Sequence, residues 1–553
     1  MKSSPSPNHP DAKPSMVRSH GGVLAGFAIL LAPYLALGAW VARHERAHSL
    51  AAYVATVTLL MLLIAFAMQT WRRFFLLNLP LWLLSAAFAA YTITYNNPPG
   101  YAIAYVIATS SIEEALGFFT IWQGERILLA AAIAVALYLA LALRIAPRPM
   151  YSGARTGPIR WGVLGGVLLL SAYAARSSAD FMDGIAANPA VGSVLFVTGP
   201  LSNVTATLHG AALSKVPYGA SRVSSDEVHI LIVGESARRD SWSVYGYSRH
   251  TTPYLEKLKS SGEAVFFANA IADANLTVYA VPILLTGMNP DSFDLGTLHG
   301  NLVDLAKEAG YSTAWLMNQD IGVSLLVGIS ADRMVYPQAL AAFVSKRMPL
   351  DGVLLRPLEA QLAHVRGPQF IGLHVIGSHW EYYARYPPQF ERFGSGRGLD
   401  LLSAFTDKTD RRVVNTYDNS VLYTDWFLEQ VIEQVRRLTV PATVTYISDH
   451  GEDLYALDGQ AGHGTPTYST HQFEIPAFVW MNAAFRRAHP DKVQAVEQNA
   501  NKLIRSHNLF YSLADLMGIH WPGASPTESF ASPRFVPDRS SKHIAGGQLV
   551  AGH

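Results

Sequence analysis

Five stretches of the chain contain no Asp, Glu, Lys or Arg: residues 19–42, 50–71, 74–112, 127–143 and 161–175. Each holds an apolar run near the roughly 20 residues that cross a bilayer as a helix. The pattern predicts five membrane-spanning helices, at about 21–42, 50–70, 75–96, 127–146 and 160–177. Trp40, Trp71, Trp122 and Trp161 fall near the expected ends, where amphipathic rings favour the interface. After residue 177 the pattern changes. Short apolar or β-branched runs at 228–234, 312–317, 369–376, 442–448 and 475–481 alternate with stretches of helical periodicity such as 299–309 and 415–436. That alternation predicts an α/β domain with a mostly parallel sheet covered on both faces.

The expected organisation is therefore a tail at 1–20 and a five-helix transmembrane domain at 21–177. A connecting helix and linker follow at 178–227, then an α/β domain at 228–520 and a C-terminal tail at 521–553 rich in Pro, Ser and Gly. Basic residues orient the spans. Lys2, Lys13 and Arg18 precede the first, Arg72 and Arg73 lie in the second loop, and Arg148 and Arg155 in the fourth. The positive-inside bias puts the N-terminus in the cytoplasm, and five crossings put the α/β domain outside the inner membrane. The third loop, 101–123, is apolar but carries Glu113 and Glu114. It reads as an interfacial helix with solvated carboxylates, or as a contact to a lipid headgroup.

Composition narrows the function classes. Of 553 residues, 50% are hydrophobic and 15% charged, against roughly 25% charged in a typical soluble chain. This excludes a disordered or collagen-like chain. The net charge of +1 supplies no basic field for nucleic acid. The absence of cysteine excludes disulfides, thiolate zinc sites and a thiol nucleophile.

In a sheet of this kind, ligands bind beyond the carboxyl ends of the strands. The first strand stops at Gly234-Glu235-Ser236, and the third leads through His374 to Gly377-Ser378-His379. The fourth stops at Ser448-Asp449-His450-Gly451-Glu452, and His463 and His471 follow in a loop. Carboxylates and imidazoles converging from strand ends suit Zn²⁺ or Mn²⁺. The nucleophile is then Ser, Thr or activated water. Thr277 stands where a loop enters a helix, a position that either caps the helix or receives phosphate at the positive end of its dipole.

The run IVGESARRDSWSVYGYSRHTTPYL at 232–255 resembles the opening motif of the membrane phosphoethanolamine transferases, within the alkaline phosphatase and sulfatase superfamily. The resemblance extends through the Thr277 loop, LHVIGSHWEYYARYPPQFERF at 373–393, YDNSVLYTDWFL at 417–428, ISDHGEDL at 447–454, and EEALGFF at 113–119. It implies an alkaline phosphatase-like catalytic domain in the bacterial periplasm and a multi-pass inner-membrane anchor. It implies Zn²⁺ held by Glu235, Thr277, Asp449 and His450, with Thr277 also the nucleophile. His379 and His463 match histidines that act on substrate or hold a second zinc, and Glu114 matches an acidic position near the lipid headgroup.

The implied reaction moves phosphoethanolamine from phosphatidylethanolamine to an envelope glycolipid, lipid A or lipopolysaccharide core. This is the chemistry of polymyxin resistance, in a protein expected to be a monomer. The alternative is a phosphoglycerol transferase of the lipoteichoic-acid synthase type. Asp273 and Ile283 stand where lipid A-specific members carry cysteines, and Trp380-Glu381 replaces a frequent Gly-Pro. These departures bear on the acceptor and leave the metal set untouched.

Overall fold

The computed structural model describes residues 15–44, 47–67, 70–95, 124–144 and short pieces between 162 and 192. It then describes 215–551 except 223–225, 295–297, 320–322, 325–326, 338–348, 364, 395–410, 458–459, 465–467 and 540–541. The chain divides into two compact units, one holding the N-terminal helices and one holding the α/β domain.

In the first unit the helices are α1 (Ser15–His44), α2 (Ala47–Ala67), α3 (Trp71–Tyr95) and α4 (Gly124–Arg144). Among the described residues three stretches are long and apolar enough to span a bilayer: Val23–Arg43, Ala47–Ala65 and Trp71–Ile93. The apolar part of α4, Ala132–Arg144, is shorter. The fifth expected span, 160–177, is described only in part, at 162, 165–169 and 171–173, and the third loop with Glu114 lies outside the described residues. Polar groups in this unit pair between helices. The Ser85 hydroxyl donates to Tyr34 Oη at 2.8 Å, and Tyr138 Oη donates to the Phe75 carbonyl at 2.8 Å. Hydrocarbon offers no other partner for such groups.

The α/β unit is built on a seven-stranded sheet. Its strands are β1 (Val228–Gly234), β2 (Ala264–Phe266), β3 (Ser312–Met317), β4 (Arg333–Val335), β5 (Gln369–His374), β6 (Ala442–Ser448) and β7 (Ala477–Met481). The spatial order is β2-β7-β6-β1-β5-β3-β4. The sheet is mixed. β6, β1, β5, β3 and β4 run parallel, while β7 is antiparallel to both β6 and β2. The reversal has a plain cause. No α-helix lies between β6 and β7 among the described residues, so β7 starts from the end of the sheet where β6 stops. Parallel pairing needs a crossover back to the other end.

All seven residues of β1, at the sheet's centre, are buried, which is why VHILIVG reads as a continuous apolar run rather than an alternating one. The 26-residue helix α5 (Arg411–Arg436) covers one face. Tyr417, Val421, Leu428, Ile432 and Val435 on it are buried at helical spacing. Each buried aliphatic side chain contributes about 1.5–3 kcal/mol. Register then aligns the functional ends: Gly234 pairs with Ser448, and Val233 with His374. The residues that follow these strands emerge together.

Candidate metal and nucleophile site

Glu235, the residue after β1, is fully buried. Its Oε1 accepts from the Ser236 hydroxyl at 2.7 Å and its Oε2 from Gln319 Nε2 at 2.7 Å. Ser236 takes a left-handed φ of 53°, a conformation that costs about 1–3 kcal/mol in a non-glycine residue. Three contacts hold it there. Its amide donates to Asp449 Oδ1 at 3.1 Å, its carbonyl accepts from Tyr417 Oη at 2.7 Å, and its hydroxyl is bound to Glu235. Tyr417 also accepts from the Arg238 amide at 2.7 Å. The long helix thus fixes the turn that aims Glu235.

Asp449 and His450 follow β6 and are also fully buried. Asp449 Oδ1 accepts the His450 amide at 2.7 Å, whereas its buried Oδ2 has no hydrogen-bond partner. At Gly451 the chain approaches the His471 carbonyl so closely that a Cβ would lie 2.0 Å from it. Only glycine fits this strand end.

Thr277 is the first residue of a ten-residue helix, Thr277–Thr286. Its half-buried hydroxyl donates toward Glu235, at 3.4 Å from Oε1 and 3.3 Å from Oε2, and lies 3.1 Å from His450 Nε2. Two strand ends and a helix start therefore meet at one oxygen. The ligand atoms of Glu235, His450 and His463 also lie within 4.8 Å of one another.

The histidines share one arrangement. Nδ1 of His450 is 2.8 Å from the Gly451 carbonyl, Nδ1 of His463 is 3.1 Å from Glu452 Oε2, and Nδ1 of His379 is 2.7 Å from the Trp380 carbonyl. Each partner only accepts, which assigns the proton to Nδ1 and leaves Nε2 with a lone pair when the ring is neutral. For His450 that lone pair faces Glu235 Oε1 and Asp449 Oδ2, each at 3.4 Å. A lone pair turned toward two carboxylates calls for a cation between them. Burial and the Asp449 charge push the Glu235 carboxyl well above its usual range. Two carboxylates, an imidazole whose other nitrogen is held by a carbonyl, and a hydroxyl are a donor set that fits Zn²⁺.

Their surroundings shift these rings differently. Burial lowers His450. Burial, with Arg385 and His463 nearby, lowers His379 to about 3. Burial works against His463 too, but Glu452 raises it above the usual value. The His463 ring lies beside His450, tilted by 42° with ring centres 4.0 Å apart, and His379 is 6.4 Å from His463. Neither His374 nitrogen has a partner, and burial lowers this ring to about 4. His471 stands apart, 3.3 Å from Arg238 Nη2 and 3.1 Å from Asp240 Oδ2.

Three contributors carry no local sequence signal. Gln319 follows β3 and bonds Glu235. Asp351 Oδ1 and Oδ2 accept the amides of Ile376 and Gly377 and so fix the turn into His379. Asp273 lies buried before Thr277, bonded to Arg505, Ser506 and His507. Glu452, within the SDHGE run, orients His463.

This architecture, a buried acidic and imidazole cluster at the carboxyl end of a seven-stranded sheet, defines a class, and the match to the Sulfatase family covers residues 228–519. The chain belongs to that family. Phosphoethanolamine transferase EptC of Escherichia coli K12 is 27% identical over 314 residues, 55% of this chain and 53% of that protein. Kdo(2)-lipid A phosphoethanolamine 7''-transferase of the same strain is 30% identical over 291 residues, 51% of this chain and 49% of that protein. The chain spans about half the length of these curated relatives. The integral membrane lipooligosaccharide phosphoethanolamine transferase A of Neisseria meningitidis has the same fold, with a TM-score of 0.65 at 23% identity. That likeness covers 93% of this chain and 98% of the other.

Proposed function

We propose that this protein transfers phosphoethanolamine from phosphatidylethanolamine to an envelope glycolipid, lipid A or lipopolysaccharide core, through a phosphoethanolamine-Thr277 intermediate. The observation that carries the reading is the Thr277 hydroxyl, within 3.1–3.4 Å of His450 and Glu235 at the start of a helix. The names of the relatives given above support the group transferred and the class of acceptor.

Glu235, Asp449, His450 and Thr277 would hold Zn²⁺. When bound, the ion supplies Lewis-acid polarisation and lowers the pKa of the attacking hydroxyl. The chain's residues do the rest. The Thr277 hydroxyl gives up its proton, and its oxygen attacks phosphorus. The bond from phosphorus to the diacylglycerol oxygen breaks, and diacylglycerol leaves. An acceptor hydroxyl or phosphate then attacks the same phosphorus and releases Thr277. His379 and His463 serve as donors to the phosphoryl oxygens and as acid or base for the exchanged protons. His463, held above the usual imidazole range by Glu452, is suited to donate a proton to the leaving oxygen.

The proposed setting is an N-in, five-span anchor in the bacterial inner membrane at 21–177, with the catalytic domain at 228–520 in the periplasm and Glu114 near the donor headgroup. The deciding experiment is mass spectrometry of envelope lipids and glycans from cells with and without the gene. The expected result is a gene-dependent phosphoethanolamine addition on a glycolipid. An unchanged envelope with the protein present and zinc-loaded overturns the reading.

A further inference from the structure

The segment before Thr277 is held from two sides. On one side, Asp273 is fully buried. Its Oδ1 accepts Arg505 Nε at 2.6 Å, and its Oδ2 accepts the Ser506 hydroxyl at 2.9 Å and the His507 amide at 2.8 Å. On the other side lies the C-terminal hairpin, two strands at Lys542–Ala545 and Gln548–Ala551 joined by Gly546-Gly547. Both glycines have positive φ, 55° and 82°, as a two-residue hairpin turn requires.

The hairpin uses its free edge on this segment. Ile544 pairs with Leu549, but its own amide donates outward to the Asp273 carbonyl at 2.8 Å. Its carbonyl accepts the Asn275 amide at 3.1 Å, and Ala274 and Ile544 form a parallel bridge. Such outward groups are those an antiparallel ladder leaves to alternate residues. At the turn, the Gly546 amide donates to Asn275 Oδ1 at 3.0 Å, and a Cβ on Gly547 would lie 2.9 Å from Tyr279 Oη. The hairpin therefore touches the residues two before and two after Thr277. Arg505 joins the two sides, because the guanidinium that bonds Asp273 also donates to the Lys542 carbonyl.

We propose that the hairpin 542–551 is a positioning element for Thr277: its edge pairs with residues 273–275 and holds the Thr277 hydroxyl against Glu235 and His450. The inference rests on the reading of Thr277 as nucleophile. It adds that the far end of the chain completes the site. No residue of the hairpin touches the reacting atoms, so its effect is on alignment, where a misplacement of about 1 Å can cost on the order of 100-fold.

The test uses the full chain in detergent with phosphatidylethanolamine, beside two variants: a chain ended after Arg539, and Ile544→Pro, which removes the hairpin amide that donates to the Asp273 carbonyl. Three quantities are read: the rate of adduct formation on Thr277 by intact mass, the zinc content, and amide exchange of residues 274–280 against residues 228–234. The expected result is adduct formation slowed by about 10–100-fold with zinc retained. Exchange should speed up at 274–280 and stay unchanged at 228–234. A synthetic 540–553 peptide added to the shortened chain should restore part of the rate. Unchanged rate and exchange in a folded variant overturn the proposal. So does unfolding of both variants, which makes the hairpin a stability element. If the intact chain forms no adduct on Thr277, the nucleophile reading fails, and the exchange result still decides whether the hairpin holds the loop.

Discussion

The Thr277 hydroxyl lies 3.1 Å from His450 Nε2, while His450 Nδ1 is held by the Gly451 carbonyl at 2.8 Å. The ring therefore presents a lone pair rather than a proton to the hydroxyl, and shares that space with two buried carboxylates. Thr277→Ala should remove the adduct and cut transfer by on the order of 10³-fold or more, since the two-step route loses its attacking oxygen. Thr277→Ser keeps the oxygen and should retain part of the activity. A helix cap would behave otherwise, because losing one costs about 0.5–2 kcal/mol of stability and no chemistry. Near-normal turnover by folded, zinc-loaded Thr277→Ala is the result that rejects the assignment.

The orphaned Oδ2 of Asp449 gives a prediction for metal content. Asp449→Ala should purify with little zinc, and chelation of the unaltered protein should stop turnover until zinc is returned. Binding at about 100 times Kd adds about 2.7 kcal/mol of stability, which should appear as a higher melting temperature on titration. Full zinc occupancy in Asp449→Ala would sink the ligand set.

Tyr417 reaches across from the long helix to the strained Ser236 turn. Tyr417→Phe deletes the hydroxyl and leaves the Ser236 carbonyl and the Arg238 amide without it. A buried polar group stripped of its partner costs about 1–3 kcal/mol. The expected outcome is a folded protein with lower zinc affinity and lower kcat, measured by zinc competition and initial rates. Unaltered zinc affinity would show that the turn holds Glu235 without help.

The Asp273 cluster sets a pH window. Burial alone would raise Asp273, but the His507 and Arg505 charges hold it far below the ordinary carboxylate range. Its contribution is complete above that range and is lost as pH falls below it toward the depressed folded value. Burial alone would lower His507, but Asp273 and Glu528 raise it from its usual 6.5 to about 9. Its contribution is complete below about 6.5 and is lost as pH rises through about 9. Melting temperature should fall as pH rises from about 6.5 to about 9 in the natural chain and level off above that as far as this group is concerned. His507→Gln should flatten that alkaline limb, with Arg505 and His543 unchanged beside Asp273. An alkaline limb that survives the substitution assigns it to other groups.

Reporter fusions test the span count. Fusions after residues 73 and 155 should read as cytoplasmic, and fusions after 100 and 180 as periplasmic. A cytoplasmic signal at 180 would leave the catalytic domain on the wrong side for an envelope acceptor.

Much of the site is legible in the sequence because its ligands sit at strand ends. VHILIVG and ATVTYIS announce buried strands by composition, so the polar residues that end them, Glu235, Asp449 and His450, stand out. Gln319 and Asp351 do not stand out, since each acts through hydrogen bonds whose partners lie far along the chain. The direction of β7 was equally hidden. A β-branched run reads the same both ways, and only the missing crossover helix turns it antiparallel. The hairpin at 542–551 falls in a Pro/Ser/Gly-rich tail, and its strands are four residues each, too short for a period to show.

The loop ahead of Thr277 is fastened by the Asp273 carboxylate and by backbone pairing, in a chain without a single thiol. Its integrity therefore answers to acid and alkali and is indifferent to reductant. Dithiothreitol should leave the melting curve untouched. Cells stripped of their dithiol oxidation machinery should still mature this domain at the normal rate.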